Sequence, residues 1–265
     1  MKALYRKHFL SRRVLPLVVL ALVVKVLLMR EGFAFFELNS YFSTLVAANV
    51  FLLGFLISGV LPDYKEAEKL PGEMAASLDS IVDECRALYG DKKVAAAKDV
   101  IEHTSVVIKE LNKWFHEESR TRNVMRHLSR YAELFVALEP HTQANFLTRM
   151  KQEVSSIRRM VLRTRNIRDV PFASPAYAVA ELFSALVITS VILVDTGTLG
   201  ESLLITGLIT YVLTYMIWFI RDLDNPFHYH DNAHLTDEIA IAPLAAVERN
   251  IKDVFGKKAK AVSTK

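Results

Sequence analysis

The densest cluster of reactive side chains is His228-Tyr229-His230-Asp231-Asn232-Ala233-His234. Imidazoles and a carboxylate this close together are the chemistry of a transition-metal site, with His228, His230, Asp231 and His234 as candidate ligands. The spacing fits no standard site, and hydrogen bonding within a polar loop is the stronger account. Two ionisable residues fall inside apolar runs, Lys25 and Glu181. The long stem of Lys25 can snorkel to an interface. Glu181 reads as an interface carboxylate or as part of a water-filled path. Catalysis has little to work with. There is no glycine-rich phosphate loop, and no Ser-His-Asp or Cys-His spacing. No catalytic residue and no cofactor are expected. Cys85 is the single cysteine, so a disulfide within the chain is impossible, and it reads as a small apolar residue on a helix.

A different chemistry runs along the second apolar stretch. Thr44, Ala48, Phe51, Phe55 and Ser58 recur at steps of four and three. On a helix they form one stripe of small, polar and aromatic side chains. Such a stripe can line a pore, with the phenyl rings as a constriction that gates by dewetting. It can equally be a helix contact face, where small residues permit close approach. Basic residues cluster further on, first at Arg120, Arg122, Arg126 and Arg130. A second cluster holds Arg149, Lys151, Arg158, Arg159, Arg163, Arg165 and Arg168. They would concentrate anions, bind anionic headgroups or form a solvated helix face.

The elements that must hold these residues follow from composition. The 265 residues are 52% hydrophobic and 23% charged, with a mean hydropathy of +0.22. Both values coexist only if apolar and charged residues are segregated along the chain. Apolar runs cover Val14–Met29, Tyr41–Leu61, Ala176–Val194 and Leu203–Ile220. With its flank, each approaches the roughly 20 residues that span a bilayer. Pro62 ends the second run. Between the pairs, Ala97, Ile101, Ile108, Leu111 and Phe115 form one amphipathic face, and Leu147, Met150, Val154, Ile157 and Val161 another. Gly90-Asp91 and Glu139-Pro140 mark helix breaks. A last helix is expected over residues 239–255.

The expected fold is all-α. It is a polytopic membrane protein of four transmembrane helices, with a helical cytoplasmic domain between the second and third. The boundaries fall at 1–62 for the N-terminal pair, 63–169 for the cytoplasmic domain, 170–221 for the C-terminal pair and 222–265 for the tail. Lys2, Arg6, Lys7, Arg12 and Arg13 precede the first run without an acid, whereas the short loops within each pair lack a basic excess. The positive-inside rule therefore places both termini and the middle domain in the cytoplasm. A net charge of +4 then reflects cytoplasmic Lys and Arg, not nucleic-acid binding.

Two segments resemble bestrophins. Phe51-Leu52-Leu53-Gly54-Phe55, followed by Tyr64 to Gly72 with its Glu-Lys-Leu-Pro core, is similar to the pore helix of that family. Asp224-Asn225-Pro226-Phe227 is similar to the motif that bestrophins carry after the last helix. The order of spans agrees, and short bestrophin-like proteins of prokaryotes and plants have this length. The resemblance implies a pentameric ion channel in the cytoplasmic membrane, of a family that is mostly selective for anions such as chloride, with at least some bacterial members passing cations. It also implies a neck at Ala47, Phe51 and Phe55, with Ala47 smaller than the family's bulky residue. Thr44 and Ser58 would flank that neck. The acidic calcium-binding run of animal relatives is replaced here by His228, Tyr229 and His230, so calcium activation is not implied. The expected partners are further copies of the chain, membrane lipid and small inorganic ions. The alternatives are a non-channel scaffold or sensor, whose cytoplasmic helices bind a partner or anionic lipid, and a membrane protein that binds metal through the tail histidines.

Overall fold

The computed structural model describes residues 9–32, 36–37, 40–170, 172–195, 197–227 and 241–262. His228, His230, Asp231 and His234 lie outside them. Long helices dominate: α1 (Phe9–Arg30), α2 (Ser40–Asp91), α3 (Ala95–Phe115), α4 (Thr121–Leu138), α5 (Ala144–Asp169), α6 (Ser174–Leu193), α7 (Leu199–Asp224) and α8 (Ala242–Val262). A 3-10 turn at Glu139–His141 separates α4 from α5. Two short strands, β1 (Phe36–Glu37) and β2 (Val194–Asp195), pair in parallel with Phe36 opposite Val194.

Pro62 does not end a helix. α2 runs 52 residues, through both Pro62 and Pro71. A proline inside a helix removes one hydrogen bond and crowds the preceding turn, at a cost of about 3 kcal/mol. Burial on either side offsets this: Leu56 and Val60 precede Pro62 in the interior, and Ala67 and Leu70 follow it. The break comes at Asp91, after Gly90.

The chain divides into two compact units, one of residues Met1–Tyr64 and Val170–Glu238, the other of Lys65–Asp169 and Ile239–Lys265. In the first unit, Leu53, Leu56 and Val60 of α2 share a core with Ala180, Val187 and Val191 of α6 and Leu213, Ile220 and Leu223 of α7. α1 packs mainly on α7 and also on α6. The exposed faces of α1, α6 and α7 are aliphatic, with Leu15, Leu20, Leu182, Leu186, Leu204 and Leu208 among the residues on them.

Among the described residues, three stretches are long and apolar enough to cross a membrane: Phe42–Gly90 within α2, Ala144–Leu193, which takes in α5 and α6, and Leu199–Asp224, which is α7. α1 is not among them, because Arg12, Arg13, Lys25 and Arg30 interrupt its apolar length. The charge of Lys25 does not snorkel. Its side chain is buried, and Nζ donates to the carbonyls of Val191, at 3.2 Å, and Val194. A cation there faces the carbonyl end of α6, where helix dipoles favour positive charge.

In the second unit the two expected amphipathic faces supply the core. Ala97, Ile101, Ile108, Leu111 and Phe115 of α3 are all buried, and so are Leu147, Met150, Val154, Ile157 and Val161 of α5. Cys85 is buried, with its Sγ 3.9 Å from Met150 Sδ. Tyr131 is fully buried, and its hydroxyl shares a hydrogen bond with Thr104 Oγ1 at 2.8 Å. Glu66 and Arg163 form a two-point ion pair, with Arg163 Nε 2.8 Å from Glu66 Oε1.

Candidate functional site

The two faces of α2 in the first unit differ in kind. One face carries Asn49, Leu53, Leu56 and Val60, all buried. Here Asn49 Nδ2 donates to Ser184 Oγ of α6 at 3.0 Å. Both residues are enclosed, so the pair fixes the rotation of α2 against α6 by a polar contact in an apolar setting. Gly59 adds a steric condition. A Cβ at that position would overlap the ring of Phe172, so only glycine permits this approach. Neither contact is visible in the sequence, because each joins residues more than a hundred positions apart.

The opposite face is uncovered. Thr44, Ala47, Ala48, Phe51, Gly54, Phe55 and Ser58 are all exposed. Phe51 is 78% exposed and Phe55 53%, so packing within the chain accounts for neither ring. Ser58 Oγ donates to the Phe55 carbonyl at 2.8 Å, which satisfies the hydroxyl proton inside its own helix and turns oxygen lone pairs outward. All five predicted pore and neck residues therefore share one face. That face is small, polar and aromatic where the other exposed helices are aliphatic. Burial of the opposite side by α6 and α7 leaves the stripe as the face of α2 turned away from the chain's own core.

Asp224, Asn225, Pro226 and Phe227 close the end of α7. Asp224 Oδ1 accepts from the backbone N–H of Phe172 at 3.0 Å, tying the chain just before α6 to the end of α7. The backbone N–H of Asn225, the C-cap residue, donates to the Arg221 carbonyl at 3.3 Å. Phe227 is completely buried. Asp224 thus anchors the backbone of the residue whose ring Gly59 accommodates. Glu181 of α6 pairs with Arg221 of α7, which also stacks 5.8 Å from Trp218. An ion pair is a structural account of that carboxylate. Among the described residues, no group of His, Cys, Asp and Glu could hold a metal ion.

A family model described as Bestrophin-like domain matches residues 14–228. Among solved structures, one of a bacterial bestrophin homologue from Klebsiella pneumoniae superposes with a TM-score of 0.76 at 15% identity, covering 93% of this chain and 98% of that one. A point variant of that homologue gives 0.76 at 16%, with 93% and 99% covered. A crystal structure described only as a membrane protein gives 0.78 at 14%, with 92% and 99% covered. No curated protein matches the sequence.

Proposed function

The chain belongs to the bestrophin-like family, and on that premise we propose that it is the subunit of a homo-oligomeric ion channel whose pore is lined by α2. Family membership supports an ion-channel kind of function and a role without bond chemistry. The observation that carries the pore assignment is the uncovered stripe of α2. In this reading Phe51 and Phe55 form an apolar neck, with Ala47 one turn outward, and Thr44 and Ser58 flank it. Water leaves a narrow apolar neck readily, so the constriction gates by dewetting. Five copies surround the axis, and their aliphatic exteriors face lipid. α1 is the fourth span, its buried Lys25 donating to the carbonyls of Val191 and Val194. Both termini and the second unit lie on the cytoplasmic side of the cytoplasmic membrane. The permeant species are anions such as chloride, favoured by the basic character of the cytoplasmic helices. Asp224 to Phe227 act as a brace for the ends of α6 and α7, outside the ion path.

Planar-bilayer recording tests the assignment. Phe55→Ala opens the neck, and the expected result is a higher single-channel conductance or a larger open fraction. Currents identical to the wild type would remove α2 from the pore.

A further inference from the structure

We propose that the cleft between the start of α4 and the end of α5 is a binding site for a doubly charged phosphate group. The cleft measures about 480 Å³, within the range of small-molecule sites. Arg120, Arg122, Arg165 and Arg168 line it, with Glu117 and Asp169 as the acids. Four guanidiniums against two carboxylates leave a surplus of two positive charges. The site lies wholly within the second unit, and the proposal does not depend on where the pore runs.

Two of the four guanidiniums are already positioned. Arg165 and Arg168 each donate through Nε to Asp169, at 3.0 and 3.3 Å, so one carboxylate serves both. Arg168 also donates to the Trp114 carbonyl at 3.4 Å, and its guanidinium lies 5.2 Å over the Trp114 ring. Its side chain is only 15% exposed. Trp114 reaches the other wall as well, where its Nε1 donates to Thr121 Oγ1 at 3.0 Å. The buried indole therefore fixes both sides of the cleft. Ordering side chains is a large part of the cost of binding, and here part of it is met in advance.

The other two guanidiniums are uncommitted. The side chains of Arg120 and Arg122 make no hydrogen bond or ion pair among the described residues. Arg120 is also the N-cap of α4, and no side chain caps that helix start. Guanidinium forks match the paired oxygens of a phosphate, and the positive end of an 18-residue helix adds to the attraction. A group with three acceptor oxygens and two negative charges satisfies both the geometry and the surplus. Such a phosphate can be carried by a soluble metabolite or by a lipid headgroup.

Full-length protein distinguishes these sources. Inorganic pyrophosphate is titrated calorimetrically into protein in detergent. Separately, protein in phosphatidylcholine nanodiscs with and without phosphatidic acid is assayed for retained lipid by native mass spectrometry. Saturable pyrophosphate binding, weakened at least tenfold in Arg120→Gln/Arg122→Gln, upholds the site with a soluble ligand. Selective retention of phosphatidic acid, lost in the same variant, upholds it with a headgroup. These two side chains are exposed and unpaired, so the variant keeps the fold. No saturable binding of either probe, or binding that the double variant leaves unchanged, overturns the proposal.

Discussion

Gly54 and Gly59 sit five residues apart on α2 and face opposite conditions. A Cβ at Gly54 would meet nothing within 4 Å, whereas at Gly59 it would strike the Phe172 ring. Replacing a helical glycine by alanine stabilises the helix by about 1 kcal/mol where space permits. Gly54→Ala is therefore expected to raise the melting temperature. If the stripe lines the ion path, it also narrows it, and single-channel conductance falls. A more stable protein with unaltered conductance would place this face away from the ions. Gly59→Ala is expected to lower the yield of folded protein. His103 sets a different residue-scale expectation. Its Nε2–H donates to the His127 carbonyl at 2.9 Å, and its ring meets Tyr131 edge-on. Burial lowers its pKa below the ordinary value; the hydrogen bond to the His127 carbonyl opposes this, and the charges of His127 and Arg130 add to the lowering. The folded protein thus prefers the neutral ring. As pH falls through about 6.5, the unfolded chain takes up the proton first, and stability present at neutral pH is lost. Melting between about pH 7.5 and 5.5 should show a smaller decline in His103→Gln than in the wild type. Equal declines would remove His103 as a source of acid sensitivity.

The elements were legible to very different degrees. The faces of α3 and α5 could be read because burial in a two-faced helix imposes a period that the sequence must carry. The stripe of α2 could be read for the same reason, since the side chains themselves form the pattern. Pro62 misled because a proline's cost is local while the packing that outweighs it, at Leu56, Val60, Ala67 and Leu70, is tertiary. Lys25 misled in a related way. The sequence shows a charge in an apolar run but not the carbonyls of Val191 and Val194 that receive it. α2 and α6 are joined by a contact of this long-range kind, Asn49 with Ser184. A double-mutant cycle with Asn49→Ala and Ser184→Ala should give a coupling of about 0.6 kcal/mol, typical of such bonds within membranes. Strictly additive losses of stability would mean that the two helices do not communicate through this pair.

At the scale of the whole molecule, the uncovered face of α2 asks for a neighbour or for water. A monomer in lipid would press Phe51, Thr44 and Ser58 against acyl chains without any gain in specificity. Five copies around an axis, as proposed, would give the stripe an aqueous path and leave lipid to the leucines of α1, α6 and α7. In mild detergent the particle is therefore expected at five times the 30.0 kDa chain mass, measured by light scattering corrected for bound detergent. A stable monomer would defeat the channel reading, because four helices with so few polar residues cannot enclose a pore alone. The lone thiol of Cys85 gives such experiments a practical start. It is buried, and it is the only cysteine of the chain. The wild-type protein is thus already a silent background for sulfhydryl labelling. A single cysteine placed at Ala47 or Ser58 would be the one thiol within reach of a water-borne maleimide, and its rate of modification with and without a blocking ion would map the conduction path position by position.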